Sequence, residues 1–193
     1  MKKIIAAILA FMMVFFAGCG GEKDEFKETI KGLEKTYDVK LGELIDAYKN
    51  PEENARKTGN LYWAYQNGVL LIFGEGDMKY YKYGATPWEN YCEEIKYAIV
   101  MEGVTSLGGY AFGWCPALEG VTLPDGLTTI TEFAFYGCHA LKTVTIPASV
   151  QEIQVGTFIG CNSLEKVTIY GEEGKFDTDK LLNEGVEVVY VTE

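Results

Sequence analysis

One arithmetic series in the C-terminal half constrains this chain more tightly than anything else in it. Phe112, Phe135 and Phe158 stand 23 residues apart, and so do Cys115, Cys138 and Cys161. Leu118, Leu141 and Leu164 keep the interval, as do Val121, Val144 and Val167, and then Leu123, Ile146 and Ile169. One period earlier, Cys92, Ile95, Val100 and Val104 stand in the places of Cys115, Leu118, Leu123 and Leu127. About four units result. The first has Glu89 where the others have Phe, and the last has Tyr170 where Pro124 and Pro147 precede it. A unit this short cannot bury its own Leu, Val, Phe and Cys, but stacked units share one continuous core. Within each unit the pattern Leu-x-x-Val-x-Leu-Pro sends alternate side chains inward as a short strand, and the Pro ends it by removing a donor.

The N-terminus reads as an export signal. Lys2 and Lys3 precede an uncharged run from Ile4 to Phe16, followed by Ala17, Gly18 and Cys19. That run stops short of the roughly 20 apolar residues a membrane span needs. The tetrapeptide Phe16-Ala17-Gly18-Cys19 resembles the lipobox of bacterial lipoproteins, with Phe16 where an aliphatic residue is usual. The resemblance implies that Cys19 receives a diacylglycerol and becomes the mature N-terminus, tethering the protein to a membrane. Cleavage there would remove Lys2 and Lys3, leaving 15 of the 17 basic residues against 28 acidic ones, so the formal charge moves from -11 to -13. Such a balance disfavours nucleic acid, whose phosphates need clustered Lys and Arg. It equally disfavours adhesion to anionic lipid through the protein surface.

Between the signal and the repeats the chain changes character twice. Phe26, Ile30, Leu33 and Tyr37 follow a helical spacing, and Leu41, Leu44, Ile45 and Tyr48 repeat it, with Pro51 placed to begin a further short helix. Residues 19–60 therefore read as a tether and helical stalk. From Leu61 the composition turns aromatic and β-branched: Leu61 to Tyr65 and Val69 to Phe73 flank Asn67-Gly68, a strong hairpin signal. Residues 61–91 thus form a β-rich lead-in module, 92–170 the repeats and 171–193 a cap. In that cap, Asp177 to Asn183 reads as a helical turn and Val186 to Val191 as a last strand.

The run Gly103 to Cys115 and its echo from Phe133 to Cys138 look like the BspA-like leucine-rich-repeat proteins of bacterial surfaces. Gly74-Glu75-Gly76-Asp77-Met78 and Pro87-Trp88 also resemble the β-rich module that often precedes such repeats. The resemblance implies a short, β-rich leucine-rich-repeat solenoid and an exported protein used in adhesion or protein binding; it is specific for fold and permissive about function.

Evenly spaced cysteines outside the cytoplasm invite metal or disulfide readings. Residues of one repeat lane form a line, whereas zinc needs ligands converging from different directions. Adjacent rungs about 4.8 Å apart leave a disulfide geometrically open, but small buried thiols are the expected state. His139, the single histidine, occupies a turn position next to Cys138. Familiar catalytic motifs are missing from the sequence, so neither an enzyme nor a cofactor is expected.

Two surfaces are candidate binding faces. One is the strand lane of Thr122, Thr145 and Thr168 with Lys142 beside it; the other is the aromatic group of Tyr80, Tyr81, Tyr83 and Trp88. The partner expected is an extracellular protein or glycan, held by a monomer on its lipid anchor. A structural envelope scaffold without an external ligand is the alternative, and an enzyme built on paired carboxylates is the third reading. Alternation of Lys96, Glu119, Lys142 and Glu165 along one lane would favour register between rungs.

Overall fold

The computed structural model describes residues 41–192. Cys19, the signal segment and the helical spacing from Phe26 to Tyr37 lie outside the described residues. Helix α1 (Leu41–Lys49) is followed by α2 (Pro51–Asn54), which starts at Pro51. Proline costs nothing at a first helical position, where its missing N–H would have had no partner.

Strand β1 (Arg56–Thr58) pairs antiparallel with β2 (Leu61–Gln66), and β2 pairs with β3 (Val69–Gly74). The Asn67-Gly68 signal is realised: Gln66 pairs with Val69 across Asn67 at φ 44° and Gly68 at φ 87°. Two successive positive φ values give the hairpin the twist of its strands.

Strand β3 is also the first rung of the solenoid. It pairs in parallel with β5 (Tyr97–Val100), Val69 opposite Tyr97, and β5 pairs with β7 (Gly120–Thr122), Tyr97 opposite Gly120. Next in line is β9 (Thr143–Ile146), beside β7, and then β11 (Lys166–Tyr170), with Thr145 opposite Thr168. The final strand, β12 (Glu187–Val191), pairs in parallel with β11. The 23-residue interval of the sequence is therefore the strand register itself.

A second parallel lane runs along another side: β4 (Gly76–Asp77), β6 (Val104–Leu107), β8 (Thr129–Ile130) and β10 (Glu152–Ile153). Between the two lanes lie the turns that carry the repeated Phe. Their rings stack through the molecule, Phe112 on Phe135 at 5.4 Å and Phe135 on Phe158 at 5.5 Å between centroids. Backbone bonds link the same turns from rung to rung, Phe112 N–H to the carbonyl of Ala134 and Phe135 N–H to that of Thr157. All three Phe are buried with Leu118, Leu127, Leu141 and Ile146 in one core.

The run Val69 to Phe73 is apolar without alternation because both of its faces are covered. Leu70 and Ile72 point into the main core, while Val69, Leu71 and Phe73 join Tyr97, Ile99 and Met101 in a second cluster. Tyr48 of α1 and Tyr62 of β2 close that cluster over Phe73, at 5.3 and 5.6 Å between ring centroids. The described part of the helical segment thus lies back against the sheet rather than standing clear of it. At the far end, Phe176 and Leu181 of the last loop and helix α3 (Thr178–Leu181) are buried against the final rung.

Candidate functional site

The aromatic group named from the sequence divides into two. Trp88 has no exposed surface and Tyr81 is also buried, so neither presents a ring to a partner. This corrects the expectation for both. They close the open N-terminal end of the Phe stack: Trp88 lies 5.5 Å from Tyr81 and 6.4 Å from Phe112, and its Nε1–H donates to the carbonyl of Ala111 at 2.8 Å. Burial pushes the Tyr81 phenol above its ordinary range, partly offset by its hydrogen bond with Thr58. Tyr80 and Tyr83, by contrast, are 56% and 61% exposed.

Sequence reasoning missed the residues that continue this surface. Tyr83 packs edge-on against Tyr110 at 6.1 Å and Trp114 at 6.2 Å, and Trp114 is 40% exposed. Tyr110 stacks on Phe133 at 5.0 Å, Tyr136 lies edge-on to Trp114 at 6.0 Å, and His139 lies edge-on to the same indole at 5.7 Å. An aromatic strip therefore runs along the turns that join the lanes. Tyr80 sits at its border and donates its hydroxyl proton to Glu132 at 2.6 Å. The carboxylate at Glu132 raises the Tyr80 phenol.

The backbone beneath the strip is unusual. Tyr110, Trp114 and Phe133 have φ of 55°, 56° and 59°, the left-handed region. One period on, Phe133 aligns with Gly156 at φ 76°, and Trp114 aligns with Gly137 and Gly160 at 72° and 80°. Left-handed backbone costs a residue with a Cβ roughly 1–2 kcal/mol and glycine almost nothing. The turn therefore accepts glycine at every one of these places, and three of them carry aromatic rings instead. Strain of this kind gathers where a surface is used. The rings lie on the glycines of the next rung: a Cβ at Gly156 would sit 2.4 Å from the Phe133 ring, and one at Gly137 3.4 Å from the Trp114 indole.

The strand lane behaves more plainly. Thr145 and Lys142 are exposed, Thr122 and Thr168 half-buried, and Ile99 opposite Thr122 is covered by the second cluster. Lys142 and Glu165 are joined through the backbone, Glu165 N–H to the Lys142 carbonyl, while the ion pair on this sheet forms between Lys166 and Glu187 at 3.5 Å.

Cys92, Cys115, Cys138 and Cys161 are free, buried thiols. Cys138 donates its S–H to the carbonyl of Phe112 and Cys161 to that of Phe135, each at 3.1 Å. Burial lifts Cys138 well above the ordinary thiol range and takes Cys161 up to about 12. For Cys115 the neighbouring Cys92 thiol contributes most to the rise, and burial adds to it. The raised thiols of Cys115, Cys138 and Cys161 are correspondingly poor nucleophiles. Among the described residues no three His, Cys, Asp or Glu are grouped to hold a metal ion. His139 is half-buried, and its Nδ1 lies 2.8 Å from the Gly160 carbonyl, an acceptor that fixes the proton on Nδ1.

A cavity of about 210 Å³ between α1 and β2 is lined by Glu43, Arg56, Trp63, Gln66 and Tyr91, among others. The Arg56 guanidinium lies 4.8 Å from the Trp63 ring centre and 5.7 Å from that of Tyr91. Among the described residues no helix is long and apolar enough to cross a membrane.

A family model described as BspA type leucine rich repeat region matches residues 88–184, in six copies of its unit. No curated protein matches the chain. Of solved structures, a leucine-rich repeat protein from Bacteroides capillosus is similar at 24% identity over 61% of this chain and 99% of its own, with a TM-score of 0.44. One from Eubacterium ventriosum is 22% identical over 58% of this chain and 42% of its own, TM-score 0.41. A leucine rich cell surface protein from Faecalibacterium prausnitzii is 19% identical over 60% and 54%, also with a TM-score of 0.41. The chain spans about half the length of the last two.

Proposed function

We propose a function from the premise that the chain belongs to the BspA-type leucine-rich repeat family: it is a binding protein displayed outside the cell, tethered through Cys19, that holds a protein partner on the aromatic strip. The observation that carries this reading is the set of rings at Tyr110, Trp114 and Phe133, placed on left-handed backbone where the same turns elsewhere take glycine. A scaffold that only had to stack would do so at lower cost with glycine. Exposed Tyr and Trp bury much area while freezing few torsions, which suits recognition. The run ending at Cys19 supports export and lipid attachment, and adhesion is the use that such a tethered surface would serve.

Two measurements test it. Membrane fractionation and protease shaving of intact cells should find the wild-type protein membrane-bound and accessible, with a Cys19→Ala variant released or unprocessed; if both fractionate as soluble, the tether is wrong. A photo-crosslinking residue placed at Tyr83 should then give a discrete protein adduct on living cells, whereas one placed at Thr145 should not. Equal adducts from both positions, or none from Tyr83, would remove the strip from the function.

A further inference from the structure

We infer that the cavity between α1 and β2 takes the carboxyl-terminal end of an extended peptide, laid along the open edge of β2. It shares no residue with the aromatic strip and is a second site, independent of it. At about 210 Å³ it has room for several waters, and it is small beside the pockets that hold drug-sized molecules. Trp63, Ala64, Tyr65 and Gln66, four consecutive residues of β2, all line it. Side chains alternate between the faces of a strand, so one cavity reaches all four only by lying along the strand's edge.

That edge is open because β1 begins at Arg56, opposite Trp63, and the chain ahead of it comes from α2 through Ala55. Gln66 closes the hairpin opposite Val69, so its backbone bonds toward β3. By the antiparallel alternation Tyr65 then directs its N–H and C=O the other way, where the described residues supply no strand. A free N–H and C=O on one strand residue is what an added segment of peptide uses.

Two side chains fix the direction of that segment. The Arg56 guanidinium lies over Trp63 at 4.8 Å and Tyr91 at 5.7 Å, and no described carboxylate is within ion-pair range of it. A guanidinium on a ring face keeps its N–H edge for a carboxylate, which it grips through two parallel bonds. Three residues along β2, Gln66 donates its Nε2–H to the Glu43 carboxylate, which leaves Oε1 buried without a donor. A buried acceptor in that state calls for an N–H. A peptide antiparallel to β2 meets both needs, with its terminal carboxylate at Arg56 and a backbone N–H upstream at Gln66. Of the described charged residues on α1, α2 and β1, only Glu43 and Arg56 line the cavity. Lys57 and Glu52 pair with each other at 3.8 Å, and Glu94 accepts from the Tyr65 hydroxyl at 2.9 Å.

The test titrates the isotope-labelled mature chain with acetyl-alanyl-alanine and follows the backbone amide resonances. Comparators are the same peptide as its carboxyl-terminal amide, and free alanine. The free acid should move the Tyr65 amide resonance saturably, with the amide form binding about tenfold more weakly and alanine more weakly still. Arg56→Gln, at an exposed position, should erase the preference for acid over amide, whereas Lys57→Gln, an equal change of charge at the next exposed residue, should leave it intact. Gln66→Leu should weaken both peptides severalfold. Equal binding of acid and amide to the wild type would overturn the carboxylate contact whether or not the Arg56 variant folds, and so would equal effects of Lys57→Gln and Arg56→Gln. Alanine binding as tightly as the peptide would overturn the contact with the strand edge. A titration that shifts no resonance would mean that only water fills the cavity, and would overturn the peptide site while leaving the aromatic strip untouched.

Discussion

The indole N–H of Trp88 donates to the carbonyl of Ala111, 23 residues further on, so a side chain makes the link between rungs that a backbone N–H makes in the repeats that follow. Trp88→Phe would keep a ring at the end of the Phe stack and leave that buried carbonyl without its donor. A stability loss of about 1–3 kcal/mol is expected, visible as a lower urea midpoint at unchanged slope. An unchanged midpoint would mean that water replaces the indole.

Gly156 and Phe133 form a second coupled pair. Gly156→Ala places a Cβ 2.4 Å from the Phe133 ring on backbone at φ 76°, so steric and conformational costs add to about 2 kcal/mol or more. Phe133→Gly in the same chain removes the ring and should restore part of that loss. A double-mutant cycle in thermal denaturation measures the coupling; strict additivity of the two changes would show that the ring gives way freely.

The rung architecture was legible because the core obeys one interval: a residue buried at Phe112 is buried again at Phe135 and Phe158, and the parallel pairing of Thr145 with Thr168 follows from that alone. The role of β3 was not, since Val69 opposes Tyr97 at a wider interval than the repeats use and so drops out of a fixed-period search. Composition also could not sort the lead-in aromatics. Tyr80 and Tyr81 are neighbours in sequence, yet one turns outward and the other into the core. The strip itself left a readable mark: Trp114 stands in register with Gly137 and Gly160, and Phe133 with Gly156. An aromatic residue in a glycine lane was the signal, and a search for similarity between repeats passes over such mismatches.

The thiol ladder should make stability fall in alkali. At neutral pH the Cys161 thiol is protonated in both folded and unfolded chains, so its raised value costs nothing there. Above the ordinary value of 9.0 the unfolded chain releases the Cys161 proton while the folded chain keeps it up to about 12. Through that window the folded state therefore loses about 1.4 kcal/mol per pH unit from this thiol. Urea titrations of wild type and Cys161→Ala from pH 8 upward should converge as pH rises; parallel curves would place the thiol in water. Native labelling with a maleimide at neutral pH should likewise be slow at all four repeat cysteines and fast after denaturation.

Removal of residues 171–193 takes away Phe176 and Leu181 from the core and the strand paired with β11. The truncated chain should aggregate or lose cooperative unfolding, because a solenoid end needs covering. A truncated protein that remains monomeric and melts like the parent would show that the last rung protects itself.

The strands β3, β5 and β7 are paired side by side, as are β9, β11 and β12, with β9 beside β7, so within each group the line through successive rungs runs along the hydrogen bonds rather than across them. Tension applied along that line would load the rungs one at a time instead of shearing a whole ladder at once. Such an arrangement yields gradually, paying out chain as each rung opens and closing again from the rungs still stacked when the tension drops. In the tethered arrangement proposed above, the solenoid would work as a shock absorber in series with its anchor.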